Sequence, residues 1–172
     1  MDERAACELP IRLGDVLQVG LVVRDLQKSM EAYWRLLGIG PWKIYTYAPP
    51  MLREATVRGR RADYSMRVAH AQAGPAQLEL IQPLEGPSIY QEHLATKGEG
   101  LHHLQSRVEE NIGAVLAAFA ARGIGVLMGG KFGEGEFYYL DTEPTLGVIY
   151  EIFQRKTRPA PDAVYPPDAV TG

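Results

Sequence analysis

An α+β fold made of two similar halves, each a strand, a helix and about three further strands, is predicted by three observations. Residues 17–40 and 102–125 read as two copies of one segment, with Gly38 on Gly123 at an offset of 85. Each copy passes from an apolar, strand-like run to a helical stripe closed by glycine. Farther on, AQLELIQ (76–82) matches VIYEIFQ (148–154), which pairs Glu79 with Glu151 and Gln82 with Gln154. A repeat of this kind outranks local patterns in deciding a fold.

The elements follow in order. Residues 1–14 form an irregular lead-in. The β-branched run 16–23 predicts a largely buried strand. Leu26, Met30, Tyr33, Trp34 and Leu37 then recur at helical spacing, and Gly38 ends the helix. Strand-like pieces follow at 42–47, 56–71 and 76–82, completing a first module at 15–83. Residues 84–100 read as a linker with a short helix near 88–96. The second module, 101–156, repeats the plan. Its strand at 101–108 leads to a helix with Ile112, Val115, Leu116 and Phe119 on one stripe, closed by Gly123. Strand pieces at 124–128, 136–141 and 147–154 follow, with Gly129-Gly130 and Gly133 marking a tight turn between the first two. The tail, 157–172, holds Pro159, Pro161, Pro166 and Pro167 and reads as extended or disordered. Neither half can readily bury both faces of its sheet alone, so the halves are expected to pair.

At 172 residues the chain has room for one domain or two intimate half-domains around a real core. Its net charge of −3 gives no electrostatic reason to expect nucleic acid or an anionic membrane as partner. Cys7 is the single cysteine, so no intrachain disulfide forms and a reducing compartment is expected. The opening MDERAACELP lacks the apolar stretch of a secretory signal, and AVLAAFAA (114–121) is too short to span a bilayer. These features predict a soluble, cytoplasmic protein.

Strand alternation locates the chemistry. On strand 17–23, Leu17, Val19, Leu21 and Val23 share the face that suits packing under the following helix, so Gln18 points the other way. On the matching strand His103, Gln105 and Arg107 share a polar face, while His102 lies with Leu104 and Val108. Only His103 of the pair is therefore expected to face the cavity, and the repeat sets it on Gln18. Glu79 sits between Leu78 and Leu80, and Glu151 between Tyr150 and Ile152. A carboxylate inside an apolar strand is costly to desolvate without a counter-charge. Two at repeat-equivalent positions ask for a shared one, and a single divalent metal supplies it. Gln18, Glu79, His103 and Glu151 form a mainly oxygen ligand set of charge −2, suited to Zn, Ni, Co, Mn or Mg. Either glutamate can alternatively form an internal ion pair with Arg67 or Arg107. Those two arginines, with Tyr139, are also the candidate substrate contacts, Tyr139 being equally suited to a core position. His70 and His93 are read as structural or exposed.

GEGLHHL (98–104), LELIQP (78–83) and GVIYEIF (147–153), with the strand-helix opening, resemble the vicinal-oxygen-chelate superfamily over about residues 15–154. That superfamily includes glyoxalase I, methylmalonyl-CoA epimerase, extradiol dioxygenases and antibiotic-resistance proteins. The resemblance implies paired βαβββ modules whose strands form a cupped, mixed and antiparallel sheet around a metal. It maps the ligands onto Gln18, Glu79, His103 and Glu151, and it implies a homodimer. The wording around 78–104 is closest to the epimerase. Epimerases carry histidine where this chain has Gln18, and a glutamine with Glu, His and Glu resembles one class of glyoxalase I. No counterpart of the epimerases' second acidic base is evident in 51–68.

The leading expectation is a metal-dependent isomerase or epimerase acting on a carbon next to a carbonyl, with a small carbonyl or thioester compound as substrate. Glu151 first and Glu79 second would carry the proton. The alternatives are a lyase of the glyoxalase I (lactoylglutathione lyase) type and, from another class, a non-enzymatic small-molecule-binding or resistance protein. A dioxygenase, and with it iron, is less favoured, because it needs two histidines and Gln18 replaces the first.

Overall fold

A computed structural model describes residues 13–109, 111–155, 157 and 159–167. Most of the lead-in, including Cys7, lies outside the described residues, as do Glu110 and the tail's last five residues, 168–172. The fold is α+β, with one eleven-stranded mixed sheet and four helices.

The first half runs β1 (Gln18–Val22), α1 (Leu26–Leu37), β2 (Trp42–Tyr47), β3 (Leu52–Val57), β4 (Arg60–Arg61), β5 (Met66–Ala73) and β6 (Ala76–Pro83). α2 (Ile89–Thr96) follows, and then the second half: β7 (Gly100–Arg107), α3 (Ile112–Ala120), β8 (Val126–Phe132), β9 (Gly135–Leu140), α4 (Glu143–Leu146) and β10 (Ile149–Gln154). A last strand, β11, spans Ala163–Tyr165. Asp25 caps α1 by accepting a hydrogen bond from the Lys28 amide, and Asn111 caps α3 through the Ala114 amide in the same way. Leu26 and Met30 bury the near end of the α1 stripe, while Leu37 at its far end is 64% exposed.

The strand order is β11-β2-β5-β6-β1-β7-β10-β9-β8-β3-β4. β1 and β7 meet antiparallel at the centre; β6 runs parallel to β1, and β10 parallel to β7. Gln18 pairs with Gln105 and Gly20 with His103, and the repeat offset of 85 turns each of these pairs into the other.

Connectivity forces the sheet to curl. β2 and β3 are consecutive in the chain yet lie eight strand spacings apart in the order. A flat sheet would separate them by about 38 Å. Residues 48–51 join them, and that link reaches about 18 Å at full extension. The two ends of the sheet must therefore approach, making a deep cup. Its interior is filled by a cluster that includes Val22, Tyr45, Tyr47, Met66, Val68, Tyr90, Phe137, Tyr139 and Phe153. α1 covers the outside of the first half with Leu26 and Met30 against Ile44, Ala69 and Leu80. α3 covers the second half with Val115 and Phe119 against Leu140 and Ile152.

Three local expectations are corrected. The piece read as one strand over 56–71 is the end of β3, then β4, then most of β5; β3 leaves the first half to pair with β8. Gly129 and Gly130 lie inside β8, opposite Tyr138 and Phe137, and the chain reverses at Gly133. A Cβ on Gly129 would come within 2.6 Å of the Tyr138 ring, so glycine there allows close approach rather than a turn. The tail is not wholly irregular either, because β11 pairs antiparallel with β2.

Candidate metal centre

Four neighbouring strands at the middle of the sheet build the centre. Glu79 on β6 lies beside Gly20 on β1, and Gly20 lies beside His103 on β7. Because Gly20 has no side chain, the His103 ring lies across β1; a Cβ there would fall 1.9 Å from its Cε1. The ring thus reaches both carboxylates. Its Nε2 is 3.0 Å from Glu151 Oε2 and 3.4 Å from Glu79 Oε2. Glu151 on β10 lies beside Gln105, whose amide Nε2 donates to Glu151 Oε2 at 2.8 Å. On the other flank the β5–β6 register sets His70 opposite Glu79, and His70 Nε2 is 2.7 Å from Glu79 Oε1.

Gln18, His70, Glu79, His103 and Glu151 are buried, and three polar atoms among them, Gln18 Oε1, His70 Nδ1 and His103 Nε2, lack a hydrogen bond. Gln18 donates its amide to Gln77 Oε1 at 2.8 Å, which leaves Gln18 Oε1 unpartnered. His103 Nε2 is close to two carboxylates but aligned for a hydrogen bond with neither. Buried unpaired groups are uncommon and call for a cause. One oxygen each from Glu79 and Glu151 and one ring nitrogen of His103 lie within 4.8 Å of one another. Ligand atoms that share a cation at about 2.0–2.2 Å are separated by distances of this order. Two carboxylates, an imidazole and an amide oxygen fit a hard or borderline divalent ion in number, charge and unmet bonding.

Without such an ion the cluster holds a proton. Burial opposes the charge on His103, but its contacts with Glu151 and Glu79 outweigh burial and raise its pKa to about 9. Burial likewise opposes ionisation of Glu79, and its close contact with His103 and its bond to His70 overcome this, holding the carboxyl well below the usual carboxylate range. His102 behaves oppositely. Burial, reinforced by the nearby His103, pushes it well below the ordinary histidine range, so its ring is neutral.

Gln18, His70, Glu79, Gln105 and Glu151 open onto a cavity of about 50 Å³. Tyr47, Leu52, Phe132, Phe137 and Phe153 give it a largely aromatic wall, and Arg155 lines it with its guanidinium 5.1 Å over the Phe153 ring. The cavity therefore sets an apolar, aromatic wall beside the two carboxylates.

Residues 17–139 match the profile of the Glyoxalase/Bleomycin resistance protein/Dioxygenase superfamily. The chain belongs to this superfamily. A curated relative, the uncharacterized protein YqjC of Bacillus subtilis, is 31% identical over 86 residues, 50% of this chain and 51% of the relative. The match thus spans about half of that protein's length. Among solved structures, the methylmalonyl-CoA epimerase of Mycobacterium tuberculosis superposes with a TM-score of 0.58 at 19% identity, covering 86% of this chain and 95% of that one. A variant of the Streptomyces coelicolor methylmalonyl-CoA epimerase, in complex with 2-nitronate-propionyl-CoA, gives 0.63 at 21% identity, covering 87% and 100%. At these identities the likeness carries the fold.

Within this superfamily member, the residues singled out from sequence fall as follows. Gln18, Glu79 and Glu151 line the cavity with Tyr139, and His103 lies fully buried behind them. Tyr139 also bonds Tyr90 hydroxyl to hydroxyl at 2.8 Å. The two arginines lie elsewhere. Arg67 alternates with Met66 and Val68, which line the cavity, so it belongs to the opposite face of β5. Arg107 is paired with Glu109 at 2.8 Å and is not a cavity residue; neither arginine bonds Glu79 or Glu151.

Several site residues went unread. His70, expected to be structural or exposed, is the partner of Glu79; it shares the Met66 and Val68 face, and that alternation was the available signal. Arg155 is the one Lys or Arg among the described cavity residues, and nothing in its sequence context marked it. The expectation that only His103 turns inward is also corrected. The β1–β7 register shifts after Gly20, leaving His102 as an extra residue on β7. A bulge suspends the alternation, so both rings reach Tyr139.

Proposed function

We propose that this protein is a metal-dependent isomerase or epimerase that moves a proton on the carbon next to a carbonyl. The observation that carries the reading is the convergence of Glu79, His103 and Glu151 at the wall of a cavity that Gln18, with its unpartnered Oε1, also lines. Those four residues would hold the ion. When bound, a divalent ion supplies positive charge to the carbonyl oxygen and so favours loss of the neighbouring proton.

The chain's own groups do the rest. Glu151 removes the proton, which returns on the opposite face or on the neighbouring carbon, since among the described residues its carboxylate meets His103 and Gln105, whereas Glu79 is also tied to His70. The aromatic wall limits water around the reacting carbon, and Arg155 offers a cation to a carboxylate or thioester oxygen farther out. A methylmalonyl-CoA epimerase is among the structures of like fold, one of them in complex with methylmalonyl-CoA and ammonium. That supports testing 2-substituted acyl thioesters first.

The Gln18, Glu79, His103, Glu151 set favours a second reading, a glyoxalase I-like lyase acting on thiol adducts. Elemental analysis of purified protein beside a Glu79→Ala/Glu151→Ala variant tests the centre. About one divalent ion per chain, absent from the variant, is expected. Incubation in deuterated water with acyl thioesters and with hemithioacetals then separates the two reactions by product. Absence of metal after adding back Zn, Ni, Co, Mn and Fe would refute both, leaving a small-molecule-binding protein.

A further inference from the structure

The bulge in β7 places two imidazoles in series. His102 Nδ1 lies 3.1 Å from His103 Nδ1, with the rings nearly perpendicular at 86°. The opposite nitrogen of His103, Nε2, is the one turned to the carboxylates. A ring nitrogen that binds a cation gives up its lone pair, so the His103 proton must then reside on Nδ1. His103 is wholly buried, and that N–H needs an acceptor. Among the described residues, the hydrogen-bond partner of His103 Nδ1 is His102 Nδ1.

We propose that His102 is the positioning residue that fixes the metal-binding tautomer of His103, accepting the His103 Nδ1–H on its own Nδ1 and carrying its own proton on Nε2. This rests on the metal reading above. The His102 ring is itself held in place, packed edgewise against His93 and Tyr139 and tilted against Tyr90, at centroid distances of 5.2–5.6 Å. Its Nε2 has no hydrogen-bond partner among the described residues, and the ring borders a second, polar cavity shared with His93, Asp141 and Glu143.

Charge explains why an imidazole serves here. Histidine ligands usually donate their second N–H to a carboxylate, a backbone carbonyl or water. Glu79 and Glu151 already balance a divalent ion, and a third carboxylate would leave net negative charge in a buried site. A neutral imidazole accepts the hydrogen bond without adding charge. The bulge is what allows it, because strict alternation would send the residue before His103 to the other face.

The test compares the wild type with His102→Phe, which keeps an aromatic ring and removes the acceptor, and His102→Asn, whose amide oxygen can stand in for Nδ1. Zn²⁺ and Co²⁺ affinities are measured by chelator competition, and ¹⁵N NMR of the histidine rings reads each tautomer directly. His102→Phe is expected to lose about 10- to 100-fold in affinity, the usual cost of losing such a partner, and His102→Asn to recover most of it. In wild-type protein, with and without zinc, His102 Nδ1 should show the shift of an unprotonated acceptor. A folded His102→Phe that binds as tightly as wild type, or a His102 protonated at Nδ1, overturns the proposal while the metal reading stands. A wild type that binds no divalent ion overturns the proposal together with that reading, whatever the tautomers prove to be.

Discussion

Gly20 and His103 face each other across the central strand pair so closely that a methyl group on Gly20 would overlap the imidazole, 1.9 Å from Cε1. The absence of a side chain on β1 is what lets a ring from β7 reach a carboxylate on β6. Gly20→Ala is therefore expected to do two things at once. Overpacking a ring that has nowhere to move should cost roughly 1–3 kcal/mol, seen as a lower denaturant midpoint. It should also swing Nε2 away from Glu79 and Glu151 and weaken metal binding far more than the stability loss explains. A Gly20→Ala protein with unchanged metal affinity would show that the ring does not need this path.

The proton that the centre would hold without a metal gives a pH dependence with a definite sign. His103 is raised from 6.5 to about 9, so the folded metal-free protein holds this proton more tightly than the unfolded chain does. Its contribution is full below about pH 6.5 and is lost as pH climbs through about 9, a change on the order of 3 kcal/mol. Metal binding runs the other way. The ion must displace that proton, so affinity rises over the same window and levels off above it. Denaturation of metal-free protein from pH 6 to 10 checks the first statement. Calorimetry in buffers of different ionisation enthalpy checks the second by counting protons released.

The parts of this architecture that follow a period were legible in the sequence. The repeat located β1 with β7 and β6 with β10, and alternation turned Gln18, Glu79 and Glu151 to one side. What escaped is what breaks a period or depends on distant partners. His102 escaped because one extra residue in a strand cannot be counted from alternation alone. β3 was merged into its successor because a strand that leaves its own half chooses its partner in space, and here it is β8. His70 sat on a readable face, but its meaning came from the residue opposite it, and that register depends on the hairpin joining β5 to β6.

The two glutamates are not equivalent, and their substitution should show it. Glu79 takes the short bond from His70 and is held well below the usual carboxylate range, which makes it a poor base. Glu151 lacks that tie. Glu151→Gln should keep the fold, because the new amide oxygen can still accept from Gln105, yet solvent deuterium exchange into substrate should fall by about 10²–10⁴. Glu79→Gln should lose metal affinity first and exchange only in proportion. Full exchange activity in Glu151→Gln would assign the proton transfer to another group.

His70 acts through Glu79, and removing it separates orientation from charge. The 2.7 Å bond from its ring holds one carboxylate oxygen, leaving the other turned toward His103. His70→Leu keeps the apolar packing around Tyr45 and deletes that bond. With the bond gone, one of the two contacts that offset burial is lost, and the Glu79 carboxyl moves up from its depressed position. Protons then compete with the ion at higher pH, so the midpoint of acid-induced metal release should shift upward. Affinity at neutral pH should drop about 10- to 100-fold, the scale typical of a lost ligand-orienting partner. His70→Gln, which can still donate from its amide, should fall between the two. If His70→Leu releases metal at the same pH as the wild type, Glu79 is oriented by the strand alone and His70 serves only to fill the cavity wall.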